Sequence, residues 1–369
     1  MCAGRTVPAA AFCKQRPEQG NLSHILVRKN LMRAIRVTKP GQYEDLELVE
    51  EPVPELGRRD VLIKVRAASL NYRDTIIAKG SYPGPLAHHL VPLSDGAGDV
   101  VAIGSDVARV KVGDRVTANC VCDWVGGPHI AEYRSNSIGT TIDGMLAEYV
   151  RVEERAIVHL PDSLSYIEAA SLPCAAVSAW SALHVAAPLA PGQTVLIQGT
   201  GGVSLFGLQI ARMFGARVLA LTSSEAKAEK LRSMGASAVI NYRDTPEWEK
   251  PILDLTDGKG VDKVIEIGGS GTINHSVACT RAGGEIGLVG YVTGTQGGVS
   301  PIAMQIRSVN IKPVSVGPRL SFEALLAAMQ ATDMRPVIDS VFGFSDFRAA
   351  LLHLESGTHV GKIAINMTD

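Results

Sequence analysis

The stretch Thr194-Val-Leu-Ile-Gln-Gly-Thr-Gly-Gly-Val-Ser204 constrains this chain more than any other. Val195, Leu196 and Ile197 are a short apolar run that reads as a buried strand. A turn of Gly199, Thr200, Gly201, Gly202 and Val203 follows. Leu205 to Phe214 then carries apolar residues at helical spacing, and Arg217-Val-Leu-Ala-Leu-Thr222 reads as a second strand. Such a strand-turn-helix-strand unit offers bare backbone amides and the positive end of a helix to a pyrophosphate. The match to G-x-G-x-x-G is incomplete, because Ser204 stands at the third glycine position. The flanking βαβ pattern supplies the context that a lone motif lacks.

The end of the second strand bears on which dinucleotide would bind. An NAD site commonly places Asp or Glu there, on the ribose hydroxyls. This strand ends Leu221-Thr222-Ser223-Ser224, and Glu225 opens the next helix. Ser223, Ser224 and Lys227 bring two hydroxyls and an ammonium to a place where a carboxylate would repel a 2′-phosphate. NADP(H) is therefore the expected cofactor. Ser223 or Ser224 also suits the cap of a helix Glu225 to Met234. Tyr242 ends the third strand, Val239-Ile-Asn-Tyr242, either stacked on an adenine or as a plain surface aromatic.

A chain of 369 residues is long enough for two domains. With 46% hydrophobic and 20% charged residues it reads as globular, not disordered. The formal charge of -1, with no block of lysine or arginine, argues against nucleic acid or a membrane surface as partner. No apolar run approaches the roughly 18 residues of a membrane span. Cys2, Cys13, Cys120, Cys122, Cys174 and Cys279 are scattered, as in a cytoplasmic protein with reduced thiols. Residues 1–31 lack periodicity and carry Pro8, Pro17 and several basic residues, and they read as a disordered extension.

Residues 32–157 read as mostly β, with strands at Arg33–Val37, Leu46–Val49, Asp60–Arg66 and Val100–Ile103. Residues 158–310 alternate strands and helices, with strands starting at Val195, Val218, Val239, Val264 and Ile286. That pattern predicts a doubly wound parallel sheet. Glycines follow the later strands at Gly268-Gly269 and Gly290, the carboxyl ends where ligands bind. Residues 311–369 are expected to return to the first domain, so that the cofactor domain is an insertion and the site lies in the cleft.

The chain resembles the medium-chain dehydrogenase/reductase superfamily. The resemblance rests on Ala68-Ser-Leu-Asn-Tyr-Arg-Asp74, Asp95-Gly-Ala-Gly-Asp-Val-Val101, Val112-Gly-Asp-Arg-Val116, the glycine turn, Ala282-Gly-Gly284 and Gly361-Lys362. It covers residues 32–369 and points to the zinc-independent, quinone-oxidoreductase-like branch. It implies an α/β fold: a Rossmann domain inserted in a mostly β, GroES-like catalytic domain.

In zinc-dependent relatives the catalytic metal is held by a cysteine, a histidine and a second cysteine. Here those places hold Asn71, Ser94 and Cys174. A catalytic zinc needs three protein ligands, so no metal is expected. The structural zinc lobe needs four cysteines, and Cys120 and Cys122 supply two. A rescued site would have to recruit His88, His89, Asp95 or His129.

Without a Lewis acid, the implied chemistry is hydride delivery to a conjugated carbonyl, quinone or enoyl acceptor. Its oxygen needs hydrogen-bond donors and its product needs a proton. Asn71, Tyr72 and Asp74 occupy the segment that lines the cleft in quinone-reductase-like relatives. Tyr82 falls near the proton-donating tyrosine of enoyl-thioester reductases, although loop packing also accounts for it. Asp74 also suits a structural pair with Arg73 or Arg115, and Cys174 a small buried apolar group. Further cofactor contacts implied by resemblance are Val177, Ser178, Gly268, Gly290, Tyr291, Val316, Gly317, Arg319 and Lys362, with His359 reaching from the tail.

Two other readings compete with a reductase: a zinc-free alcohol or aldehyde dehydrogenase, and a non-catalytic NADPH-binding protein. A homodimer is expected, paired through the edge strand Asn310-Ile-Lys-Pro-Val314.

Overall fold

The computed structural model describes Met1 and residues 31–39, 41–184 and 186–368. The expected extension, with Cys2 and Cys13, falls outside the described residues apart from Met1 and Leu31. The chain opens with an antiparallel hairpin, β1 (Leu31–Val37) and β2 (Leu46–Pro52). Then come β3 (Asp60–Ser69), α1 (Tyr72–Ala78), β4 (Asp95–Ile103), β5 (Arg115–Ala118), β6 (Tyr149–Glu153) and β7 (Ile157–His159). Two helices, α2 (Tyr166–Ala170) and α3 (Ala175–Leu183), lead into the alternating region.

That region runs β8 (Thr194–Gln198), α4 (Gly202–Met213), β9 (Arg217–Thr222), α5 (Glu225–Ser233), β10 (Ala238–Asn241) and α6 (Glu249–Asp254). It continues with β11 (Val261–Glu266), α7 (Ile273–Cys279), β12 (Thr280–Leu288), α8 (Pro301–Arg307) and β13 (Asn310–Pro313). The tail is α9 (Arg319–Thr332), β14 (Ile338–Gly343), α10 (Phe347–Ser356) and β15 (Lys362–Asn366).

The six-stranded sheet has the order β10-β9-β8-β11-β12-β13, all parallel. In chain order this is 3-2-1-4-5-6, the Rossmann arrangement, and the order reverses between β8 and β11. Val195, Leu196 and Ile197 are fully buried, as a parallel strand covered on both faces requires. β13 pairs only with β12 and forms the sheet edge, where Pro313 removes a donor.

The seven-stranded sheet has the order β14-β15-β3-β4-β5-β7, with β6 also on β3. Strands from both ends of the chain therefore share one sheet. Ser69 pairs with Asp95 of β4 on one side and with Ala364 of β15 on the other. This register gathers Asn71, Asp95 and Lys362 at one end of three adjacent strands.

Two boundaries differ from those read in the sequence. Asp95-Gly-Ala-Gly is already strand, because a chain running between two partners pairs its glycines as readily as other residues. α4 starts at Gly202 and not at Leu205, since its first turn, Gly202, Val203 and Ser204, holds one apolar residue and so no helical period to read.

Candidate active site

The glycine turn lies at the switch point, beyond β8. Gly201 is the extended residue before α4, and Gly202 and Val203 form the helix's first turn. A Cβ on Gly202 would lie 2.7 Å from Lys362 Cδ and 3.2 Å from Ala175 Cβ. The amide of Gly361 donates to the Thr200 carbonyl at 2.9 Å. The tail strand and α3 thus press directly on the turn. Gly207, not residue 204, provides the close helix-sheet approach, because a Cβ there would meet Ile265 Cδ1 at 2.4 Å. Ser204 is buried and its hydroxyl donates to the Gln198 carbonyl at 2.5 Å.

The loops after β11 and β12 are fixed by Glu266, which the sequence reading missed. Its carboxylate accepts from the Gly268 amide at 2.8 Å, the Gly269 amide at 3.0 Å and Thr272 Oγ1 at 2.6 Å. It also accepts from Gln198 Nε2 at 2.7 Å and Ser276 Oγ at 2.5 Å. A fully buried carboxylate is stable with this many donors. The signal available was an acid closing the apolar run Val264-Ile-Glu266, just ahead of the glycine pair. The amide of Gly290 donates to the Glu266 carbonyl at 3.2 Å, which joins the two loops.

At the end of β9, Ser224 takes the cap position of α5 but its side chain makes no capping hydrogen bond. The structural use expected of it is not realised, and Ser223 and Ser224 remain half-buried beside Thr222, whose buried hydroxyl has no partner. Lys227 Nζ donates to the Gly357 carbonyl at 2.6 Å. Burial lowers its pKa, and the nearby charge of Arg243 lowers it further. Two cations brought together repel unless an anion lies between them. Arg243 was also missed, although it directly follows Tyr242, which is 41% exposed at the end of β10. His359 joins this group. Burial, then Lys227, holds its pKa down to about 4.

The second half of the site lies at the end of β3. Lys362 is buried, and its Nζ donates to the Leu70 carbonyl at 2.5 Å and Asn71 Oδ1 at 2.8 Å, and lies 3.5 Å from Asp95 Oδ2. Its stem touches the glycine turn and its ammonium serves the cleft. Asp74 accepts from the Asn71 amide at 2.7 Å. Burial raises the Asp74 carboxyl to about 6 against the opposing charge of Arg73. Arg115 does not pair with Asp74; it donates to the Leu164 carbonyl at 2.6 Å and lies over the Tyr166 ring.

Arg73 is the other residue whose place the sequence did not reveal. Its Nε and Nη2 are buried without a partner, as are Asn71 Nδ2 and Asp74 Oδ1. Tyr291, from the β12 loop, faces the same space. Burial raises the pKa of its hydroxyl, and the charge of Arg73 opposes this. Tyr72 is 47% exposed and Tyr82 is half-buried. Hydrogen bonds thus bring Asn71, Asp74 and Lys362 together, and Tyr72, Tyr82 and Arg73 lie within electrostatic reach of Tyr291.

On the Rossmann side, Val177 and Ser178 are buried in α3, and Gly317 lies against Val177 and Ser181. Val316 holds φ at +62°, a strained setting for a β-branched residue. Arg319 is engaged elsewhere, donating to Glu323 at 2.6 Å while its amide donates to the Trp124 carbonyl.

Among the described residues, one group has the spacing of metal ligands: Asp95, Cys120 and Cys174, with ligand atoms within 4.8 Å of one another. Cys120 was expected at the place of a structural lobe and instead stands beside Cys174. His88 and His89 are exposed, and His129 packs edge-on to Trp124 at 4.9 Å. Zinc would require thiolates here. Burial holds Cys120 protonated, with its S–H toward Asp95 at 3.6 Å. The contact with Cys120 lowers the Cys174 thiol, burial opposes this and Arg73 reinforces it. The Lys362 ammonium stands beside the same carboxylate, 3.5 Å from Asp95 Oδ2. The sequence offered only Cys174 of the three protein ligands that a catalytic zinc needs, whereas the fold brings Asp95 and Cys120 beside it.

Fold and site together define an α/β oxidoreductase in which a Rossmann sheet faces a cleft built on a GroES-like sheet. Residues 57–162 match the alcohol dehydrogenase GroES-like domain and residues 202–331 match the zinc-binding dehydrogenase family. The zinc-type alcohol dehydrogenase-like protein C1773.06c of Schizosaccharomyces pombe is 40% identical over 332 residues, covering 88% of this chain and 96% of that protein. A quinone oxidoreductase of Pseudomonas aeruginosa is 30% identical over 336 residues, covering 88% of this chain and 96% of its own. A mycobacterial structure complexed with NADPH superposes with a TM-score of 0.77 at 27% identity, covering 91% of this chain and 100% of the other. The chain belongs to the medium-chain dehydrogenase/reductase superfamily and is an oxidoreductase of that superfamily.

Proposed function

We propose that this protein is an NADPH-dependent reductase of conjugated carbonyls, quinones or enoyl acceptors that works without catalytic zinc. The observation that carries the reading is the cleft itself. Lys362 joins the dinucleotide turn to the Asn71 segment, with its stem on Gly202 and its ammonium on Asn71 Oδ1, where Asn71 Nδ2 and Arg73 Nε and Nη2 are buried donors without partners. When bound, the nicotinamide supplies the hydride. The residues of this chain bind and orient the acceptor, stabilise charge on its oxygen and return a proton, for which Tyr82 is the assigned donor. A conjugated acceptor suits this apparatus because its charge is spread before it reaches the oxygen. The Lys227–Arg243 pair, with Ser223, Ser224 and the free hydroxyl of Thr222, supports NADPH over NADH.

The reading includes a homodimer paired through the open edge of β13, beside a helix α8 whose Ile302 and Ile306 are 61% and 73% exposed. It includes a cytoplasmic location, which rests on the free thiols of Cys120, Cys122, Cys174 and Cys279. Among the described residues no helix is long and apolar enough to cross a membrane.

The test is oxidation of NADPH and NADH against a quinone, an enone, an aldehyde and an enoyl thioester, with and without a strong chelator. NADPH-preferring, chelator-insensitive turnover of a conjugated acceptor is the expected result. Chelator-sensitive aldehyde reduction would contradict the reading, as would stable NADPH binding with no turnover of any acceptor.

A further inference from the structure

Lys362 is buried, and its ammonium has three hydrogens to place. They meet three acceptors: the Leu70 carbonyl at 2.5 Å, Asn71 Oδ1 at 2.8 Å and Asp95 Oδ2 at 3.5 Å. An ammonium only donates, so the oxygen of the Asn71 amide must face it and the nitrogen must face away. The backbone of Asn71 is held too, because its N–H donates to Asp74 Oδ2 at 2.7 Å at the start of α1. Lys362 is itself placed from the other side. The Gly361 amide donates to the Thr200 carbonyl at 2.9 Å, and β15 pairs with β3.

Asn71 Nδ2 is then a buried donor of fixed direction, with no partner among the described residues. Buried donors are rarely left open in a folded protein, and where they are, the group commonly serves a ligand or the chemistry. Asn71 is half-buried at the end of β3, and the next residue, Tyr72, is 47% exposed, so this end of the strand borders the cleft. The ammonium draws electron density from the amide oxygen, which makes the N–H groups stronger donors than those of a free amide. A donor that is fixed, polarised and unable to release its proton is what a developing oxyanion requires.

We propose that Asn71 Nδ2 binds the carbonyl oxygen of the conjugated acceptor, and that Lys362 is the positioning residue that aims and polarises it. The resemblance implied a cofactor contact for Lys362; its stem keeps that place beside the turn, while its ammonium serves the acceptor through Asn71. Hydride adds to the β carbon, the π electrons shift to the oxygen, and the enolate oxygen accepts from Nδ2. A hydroxyl then gives the α carbon its proton, with NADPH converted to NADP+. The charge of Lys362 reaches the enolate through one amide, and neither residue transfers a proton. This assignment rests on the reductase reading above.

The experiment uses the full-length protein, an α,β-unsaturated ketone with saturating NADPH, and 4-nitrophenolate as an oxyanion probe of the NADP+ complex. Asn71→Asp keeps an oxygen for Lys362 and removes the donor. It should lose kcat by about 10²- to 10³-fold and bind the phenolate at least about tenfold more weakly, with NADPH affinity within about twofold of wild type. Asn71→Ala should lose kcat in the same way, and it stands in if Asn71→Asp does not fold. Lys362→Arg keeps a charge beside Asp95 but changes the reach to Asn71, and should lose kcat by about tenfold. Added to Asn71→Ala, it should cost nothing further, because Lys362 acts through Asn71. A kcat within about twofold of wild type in either Asn71 variant would overturn the proposal. So would losses that multiply in the double variant, or a loss carried by NADPH affinity, which would assign Asn71 to the cofactor. If the wild type turns over no acceptor at all, the reductase reading fails. The phenolate still decides whether Asn71 and Lys362 form an oxyanion site, and equal binding by wild type and Asn71→Asp would show that they do not.

Discussion

The glycine turn draws its ligand-facing groups from one continuous stretch, Gly199 to Val203, and most of them are backbone. The cleft opposite draws side chains from Asn71–Asp74, Tyr82, Asp95, Cys120, Cys174, Tyr291 and Lys362, and no two of these segments adjoin in the sequence. A phosphate needs amides and a helix end, which a short local motif can supply. Chemistry at a carbon and an oxygen needs differing side chains at fixed points, and only the tertiary fold can bring these together. Lys362 belongs to both regions, with its stem on Gly202 and its ammonium on Asn71 and Asp95.

Removing that shared residue gives the largest expected effect. Lys362→Met leaves Asp95 charged, buried and short of its cation, and should lower unfolding stability by about 3–5 kcal/mol in denaturant titrations. A loss below about 1 kcal/mol would mean that the two regions are not tied through this ammonium. Tyr82→Phe should cut kcat by about 10²-fold on the best acceptor with little change in NADPH affinity. An unchanged rate would move the proton donor to another hydroxyl, with Tyr291 the next candidate.

Asp74 gives an effect of middle size and a definite sign. Its folded pKa of about 6 lies above the ordinary value of about 4, so the folded state binds the proton more tightly. The stabilising contribution is present below about pH 4 and is lost as pH rises through about 6. Asp74→Asn, which keeps an acceptor for the Asn71 amide, should be more stable than the wild type at pH 7 by on the order of 2 kcal/mol. Its melting temperature should vary less between pH 4 and 7. A wild-type pH profile in this variant would show that Asp74 is not the titrating group. The smallest effect belongs to the turn side: Lys227→Ala should weaken NADPH binding about tenfold and leave NADH binding nearly unchanged. Equal weakening of both would assign Lys227 to holding Gly357 and not to a phosphate.

The same contrast explains what the sequence revealed. The doubly wound parallel sheet followed from apolar runs at Val195, Val218 and Val264, because buried parallel strands leave an unbroken local signal. The start of α4 was placed too late, since a first turn with one apolar residue has no helical period to read. Asn71, Asp74 and Tyr82 were found through a resemblance, and the structure joins the first two by a hydrogen bond from the Asn71 amide to Asp74. Glu266 and Arg243 sit beside motifs already noticed and were legible in principle. Cys120 was not, because a pairing between β5 and α3 has no trace in spacing. Asp95 was weighed only as part of a histidine-rich rescue, and the fold surrounds it with sulfur and the Lys362 ammonium instead.

The most direct test of the central claim follows the hydride. Turnover of an α,β-unsaturated ketone with NADPH deuterated at the transferring C4 position, in the presence of chelator, is analysed for the place of the label. The account predicts deuterium at the β carbon of a saturated ketone. Deuterium on the carbonyl carbon of an allylic alcohol, or a reaction that stops when metal is removed, would contradict it.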